Sequence, residues 1–473
     1  MTSPKDKNGE ERAIGWGTFF GPEYRLASLT LGLGVVLYAF NLFIFSTLTT
    51  SVVEDVGGLD RIAWATTLYV VASIIASAAA GMMRIKLGAR RALGLASLCF
   101  ALGSAGIGLS PSMDAVLLAR VVQGLGAGLL MASSHGLVRD LFPASSWPRA
   151  FAAISGVWGI ASLSGPLIGG VFAEMEAWRS GFLFMIPICG LFYLAVCRMV
   201  PASPGSDEAV QVGPALRLSL IGFSALAIGA SGKGYSAAAD AFFVGLALIL
   251  AVAAIVVERR SSNPLFPVDM FRPGTVVGGG AMFYFFIAFS TVPTTVFGPY
   301  FLITLHETPP LVAGYIVTAQ SFSWTLAAIL LSDITDKSAR KIIILGPICT
   351  LIGVIFAAKV FPIGPVWLIA IAIAIAGTGI GAAWGYVGKR VFQAAGEIDR
   401  DRVTTVMPTM QSLGMAFGSA VAGIFASRAG LGEGVVPEQI ADASFWVYAG
   451  LAPGVMIAIV AAVINVRGSS STP

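Results

Sequence analysis

The chain has 473 residues, 56% of them hydrophobic and only 11% charged, with a net charge of +4. A soluble domain carries about a quarter charged residues, so an ordinary soluble fold is excluded, and the small net charge leaves no case for a nucleic-acid partner. The four cysteines (Cys99, Cys189, Cys197, Cys349) are scattered through apolar runs, and only two histidines are present, so no metal site, disulfide frame or cofactor is legible.

Residues 1–27 are polar and mixed in charge and read as a cytosolic tail. The first apolar run starts too late and runs too long for a cleavable signal peptide. A membrane span needs about 20 mostly apolar residues. Six such runs follow, at 28–50, 62–83, 91–110, 115–137, 148–172 and 181–200. The polar stretch from Pro201 to Val212 reads as a loop, and two further spans at 214–231 and 240–257 make a central insert within 201–273; the first is the weakest of the set. The last six lie at 274–302, 310–332, 341–360, 364–387, 403–427 and 443–466, with a short cytosolic tail at 467–473. Fourteen transmembrane helices are therefore predicted, in an all-α integral membrane fold.

Placing both termini inside leaves only Arg61, Arg179, Lys233, Lys359 and Arg428 in outer loops and Arg120 within a span; the other 23 of the 29 Lys and Arg fall on the inner side. That is the positive-inside asymmetry. A repeat supports the same count. Gly124, Gly126 and Gly128 match Gly377, Gly379 and Gly381, and Gly165, Gly170, Phe172 and Ala173 match Gly418, Gly423, Phe425 and Ala426. Two six-span halves, 28–200 and 274–466, flank the two-span insert, and parallel repeats of this kind place a transport site between the halves near mid-membrane.

Arg120 is the strong base placed well inside a span. Such a charge is costly and faces a cavity or a partner, or else snorkels to the nearby surface. Gln123 and Gly124 share its helix face. Its counterpart in the second half is Ile373, so the charge belongs to one half alone. In the fifth span Pro166 interrupts the helix hydrogen bonds, and Gly165 and Gly169, beside Gly170, make a GxxxG face for close packing. Gly124, Gly128, Gly414 and Gly418 join this hinge and packing set. The inner loop with Gly81, Gly88, Arg90 and Arg91, and its counterpart with Asp336 and Arg340, either latches helices together or serves topology alone.

The chain resembles the major facilitator superfamily, and within it the fourteen-span drug:proton antiporter branch. The likeness rests on Arg120 with Gln123-Gly124, on Gly165-Pro166 with Gly169-Gly170, on Trp178-Arg179 before Phe182, and on Glu258-Arg259-Arg260 with Asn263-Pro264. The resemblance implies the major facilitator fold and proton antiport. Three departures stand out. Ile85 replaces an aspartate of the inner loop, Ala152 and Ala161 replace glycines ahead of Gly165, and Asn41 stands where the branch carries an aspartate in its first span. Asn cannot titrate. A proton carrier then has to come from Glu54, Asp55, Asp114, Asp240, Asp333 or His135, or else the coupling differs.

A cavity wall is expected from Tyr38, Asn41, Trp64, Tyr69, Gln123, Trp158, Tyr284, Gln320, Trp324, Trp384 and Gln411, although aromatic residues in spans also pack or anchor. No Walker, HExxH or GxSxG motif is present, so no enzyme chemistry is expected. The expected function is secondary active transport: proton-coupled export of lipophilic or amphipathic small molecules by alternating access. The alternatives are a dedicated metabolite, peptide or lipid transporter or facilitator without proton coupling, and a non-transporting membrane sensor. A monomer in the lipid bilayer of the plasma membrane (the inner membrane of a Gram-negative cell) is expected.

Overall fold

The structure is a computed structural model and describes residues 16–142, 147–202, 213–231, 237–261, 264–272, 274–331, 336–394, 400–432 and 434–469. Among these, the regular structure is helical apart from one isolated bridge between Thr275 and Ser469. After a single turn at Trp16–Phe19, the first six long helices are α1 (Arg25–Val56), α2 (Ile62–Leu87), α3 (Ala89–Gly108), α4 (Met113–Leu141), α5 (Trp147–Glu174) and α6 (Trp178–Met199). The insert supplies α7 (Gly213–Ala230) and α8 (Ala237–Arg260). The last six are α9 (Val276–His306), α10 (Pro310–Leu330), α11 (Asp336–Val360), α12 (Val366–Ala394), α13 (Arg400–Arg428) and α14 (Pro437–Arg467). Thirteen described helices are long and apolar enough to cross a membrane, and α7 contributes the shorter apolar helix Leu216–Ala230.

Three spans expected to be continuous are broken, each beside a proline that withholds a backbone donor. Helix α9 is split into Val276–Thr291, Pro293–Val296 and Gly298–His306, with Pro299 at the second break. Helix α14 breaks between Ala449 and Ala452, before Pro453, and α6 breaks at Phe184, before Pro187. By contrast, α5 runs unbroken through Pro166. Helix α1 continues to Val56, so Glu54 and Asp55 occupy its last turn instead of lying beyond it. The tight corner between α2 and α3 is Gly88 at φ 79°, a conformation that suits glycine.

The two sets of six helices pack alike. In the first, α1 lies on α5 and α6, and α4 lies on α2 and α3; in the second, α9 lies on α13 and α14, and α12 lies on α10 and α11. The glycines explain the match. A Cβ on Gly124 or Gly128 would strike the carbonyls of Tyr69 or Ser73, and one on Gly377 or Gly381 would strike those of Gln320 or Trp324. Bare glycine surfaces let backbones approach where no hydrophobic force drives helices together. Gly128→Ala is therefore expected to cost about 1–3 kcal/mol. Gly156→Ala, where a Cβ would meet nothing within 4 Å, is expected to be neutral or stabilising. Unfolding of the two variants in detergent checks this.

The halves meet through a symmetric pair of contacts, α5 with α10 and α13 with α2. These tighten towards the face opposite the basic α2–α3 corner. There Ser46 donates to the Thr295 carbonyl at 2.5 Å, Ser419 donates to the Ala63 carbonyl at 3.0 Å, and Gly314 abuts Pro166. Helix α7 covers the seam between α2 and α13, with α8 outside it. Helix α8 is only 11% buried over its most apolar window, so its Phe242, Leu248, Ile249 and Val252 form an apolar face suited to lipid.

Candidate functional site: a caged arginine beside an aromatic wall

Arg120 lies well inside α4 and is 1% exposed. Its Nε donates to the Ala65 carbonyl of α2 at 3.1 Å. Nη1 donates to Gln123 Oε1 at 2.7 Å and to Asn41 Oδ1 at 3.4 Å. Gln123 in turn donates through Nε2 to Ser104 Oγ of α3 at 2.9 Å. The guanidinium carbon sits 3.9 Å from the centre of the Phe45 ring and 4.0 Å from that of Tyr69. Helical spacing builds this cage: Arg120 and Gln123 are three apart on α4, Asn41 and Phe45 four apart on α1. Between described residues no carboxylate pairs with Arg120. Carbonyl and amide oxygens and two π faces offset the desolvated charge instead. Arg120 therefore does not snorkel.

Beside the cage, the half-buried Tyr38 ring lies 6.2 Å from Tyr69 and 5.8 Å from Trp158. The second half carries its own cluster. Trp384 contacts Tyr284 at 4.5 Å and Trp324 at 4.8 Å, and the Tyr284 hydroxyl donates to the Trp384 carbonyl at 3.0 Å. Gln320 is half-buried on α10 with its Oε1 unpaired, and Gln411 is half-buried on α13. The packing register relates the two clusters: the Tyr69 carbonyl faces Gly124 as the Gln320 carbonyl faces Gly377.

A model of the Major Facilitator Superfamily matches residues 31–305 and 277–471. The chain belongs to the Major Facilitator Superfamily. It is a multi-pass membrane transporter and not an enzyme. It is 29% identical over 428 residues to a probable multidrug-efflux transporter of Mycobacterium tuberculosis, covering 87% of this chain and 89% of that one. It is 26% identical to the riboflavin transporter RibZ of Clostridioides difficile, over 68% of this chain and 71% of the relative. A solved POT family transporter in complex with a thioalcohol-conjugated peptide shares the fold at a TM-score of 0.68, with 12% identity and coverage of 95% of this chain and 98% of that one.

Within the Major Facilitator fold, the structure gathers Asn41, Tyr69, Arg120 and Gln123 and places Tyr38 and Trp158 beside them. It separates Trp64 from them: that ring lies against Gly229 of α7, next to Ala420 of α13, under the insert and away from the expected cavity wall. The GxxxG pair stays together, and the neighbouring Gly170 parts from it. Gly165 and Gly169 face Phe43, Ile44 and Thr47 of α1, while Gly170 faces Leu311 of α10. Gly414 and Gly418 face the carbonyls of Phe285 and Phe289 of α9. Where described, the inner segments expected as loops are helical except at Gly88: Gly81 lies within α2 with open space around it, the half-buried Arg90 and the exposed Arg91 open α3, and Asp336 and the exposed Arg340 belong to α11.

The acids considered as proton carriers lie at the opposite face where they are described. Asp55 accepts from Trp178 Nε1 at 2.9 Å and pairs with Arg179. Asp114 pairs with Arg61 at 2.5 Å, and Asp240 lies 3.5 Å from Arg428. Glu54 is exposed. Asp333 and the side chains of His135 and Asp336 lie outside the described residues.

Sequence reasoning missed four participants. Phe45 could have been found from its i+4 relation to Asn41; Ser104 and the Ala65 carbonyl carry no sequence signal. The fourth is a buried ion pair in the insert. Arg217 Nη1 meets Glu258 Oε2 at 2.5 Å with both side chains 4% exposed, and Glu258 Oε1 accepts from the Phe266 amide at 2.9 Å. This pair ties α7, α8 and the linker to α9 together.

Proposed function

We propose that the protein is a secondary active exporter of lipophilic or amphipathic small molecules. It lies in the plasma membrane, or the inner membrane of a Gram-negative cell, with both termini cytosolic. The two bundles, 28–200 and 274–466, rock against one another by alternating access. The carrying observation is the caged Arg120 next to the half-buried Tyr38 and Trp158, with a register-related aromatic cluster in the other half. Large aromatic surfaces with few polar groups suit amphipathic ligands. The relative named as a multidrug-efflux transporter supports the direction and the breadth of substrate. The seal at Ser46–Thr295 and Ser419–Ala63 fits a state closed to the outer side.

Proton antiport belongs to this reading through the family resemblance. One observation favours a second reading, a dedicated or uncoupled transporter: Asn41, not an acid, holds Arg120. The relative named as a riboflavin transporter is compatible with that alternative. Proteoliposomes carrying a panel of amphipathic dyes of different charge, with and without an imposed pH gradient, test both. Accumulation driven by the gradient is expected. Gradient-independent flux would transfer the protein to the second reading, and no flux of any dye would refute transport of this substrate class.

A further inference from the structure

The Arg120 cage has more donors than it uses. Arginine offers donors only, so it draws the Asn41 oxygen inward and leaves the Asn41 amide nitrogen turned away. That nitrogen is buried and makes no hydrogen bond. The Tyr69 hydroxyl, also fully buried, lies next to that amide and makes no hydrogen bond of normal geometry either. Arg120 Nη2 is the remaining guanidinium nitrogen, and the hydrogen bonds of this side chain run through Nε and Nη1. Two donor groups, on α1 and α2, therefore lie beside a guanidinium whose own Nη2 is unused and whose charge no described carboxylate balances.

We propose that this cage is a seat for the anionic head of an amphipathic substrate, an organic carboxylate. A carboxylate accepts hydrogen bonds on two oxygens and supplies the missing countercharge, so one group satisfies both deficits. A neutral head leaves the buried charge uncompensated, and an ammonium head is repelled by it. Tyr38 and Trp158, half-buried at the edge of the cage, receive the apolar body. Asn41 is thus a selectivity device. An aspartate there would neutralise Arg120 from within the chain; the amide keeps the charge available to a ligand. This assignment rests on the exporter reading for its physiological meaning and on the cage alone for its chemistry.

The test uses the purified full-length chain and three probes that share one apolar body: 4-(1-pyrenyl)butyrate, the corresponding butanol and the corresponding butylamine. Binding is followed by energy transfer from the protein's tryptophans to pyrene. The butyrate is expected to bind at least tenfold more tightly than either the alcohol or the amine. Asn41→Asp is expected to weaken the butyrate at least tenfold and the alcohol less than threefold. Tyr69→Phe removes an unbonded hydroxyl, so it leaves folding intact, and is expected to weaken the butyrate about threefold while leaving the alcohol unchanged. Equal binding of butyrate and alcohol by the wild type overturns the proposal, as does an unchanged butyrate affinity in both variants. Flux in proteoliposomes separates this claim from the transport claim. Selective butyrate binding without flux of any probe keeps the anion seat and removes the exporter. Gradient-driven flux of the alcohol or amine without butyrate selectivity does the reverse.

Discussion

Glu258→Ala is expected to destabilise the protein by about 3–5 kcal/mol, the usual cost of stripping one partner from a buried ion pair. The magnitude follows from burial. Both side chains are 4% exposed, and Glu258 also accepts from the Phe266 amide within the linker to α9. Removing the carboxylate takes the Glu258 charge away from Arg217 in a low-dielectric site and leaves the Phe266 amide without this acceptor. The double variant Arg217→Met, Glu258→Met removes both charges and is expected to recover most of the loss, because a well-packed apolar pair escapes the desolvation cost. Reversible unfolding in mixed detergent micelles checks both. A Glu258→Ala loss below about 1 kcal/mol would show that the pair does not hold the insert to the second bundle.

Arg120→Ala is expected to reduce transport by roughly 100-fold, about 3 kcal/mol of binding or gating free energy, while folded yield changes little. A buried charge balanced by carbonyls, amides and π faces stabilises the fold weakly, so its removal is tolerated; what is lost is the interaction it makes during the cycle. Gln123 and Asn41 would lose their donor, although Gln123 keeps Ser104. Arg120→Lys keeps the charge but cannot reproduce the fork that reaches Ala65, Gln123 and Asn41 together, so intermediate activity is expected. Flux in proteoliposomes, with light scattering and gel filtration to confirm the folded state, is the measurement. Full activity in Arg120→Ala would remove this residue from the transport machinery.

Much of the site was legible because membrane burial is unforgiving of charge. Arg120 in an apolar run has to find partners, and Gln123 follows from helical spacing. Asn41 was identified through the family resemblance, as the departure that leaves the arginine without an acid. The aromatic residues were harder to place. Trp64 and Trp158 look equivalent in sequence, yet one is packed beneath α7 and the other borders the cage. Sequence gives no azimuth to an aromatic in a helix that is apolar on every side, since lipid, core and cavity all accept it.

By itself the sequence determined the membrane class, the number and order of the helical spans and the register of the internal repeat. Hydrocarbon thickness sets helix length, and glycine spacing records where backbones must touch. Only the tertiary structure decided that Arg120 is held by oxygens and rings from two other helices, α1 and α2, with Gln123 braced from α3, and that Arg217 and Glu258, 41 residues apart, form one buried pair. It also decided that α9 and α14 break beside their prolines while α5 passes straight through its own. These outcomes depend on which faces meet across the bundle. A backbone group freed by proline, or a charge taken out of water, is tolerated or not according to the neighbours that supply its partners, and those neighbours are distant in the chain.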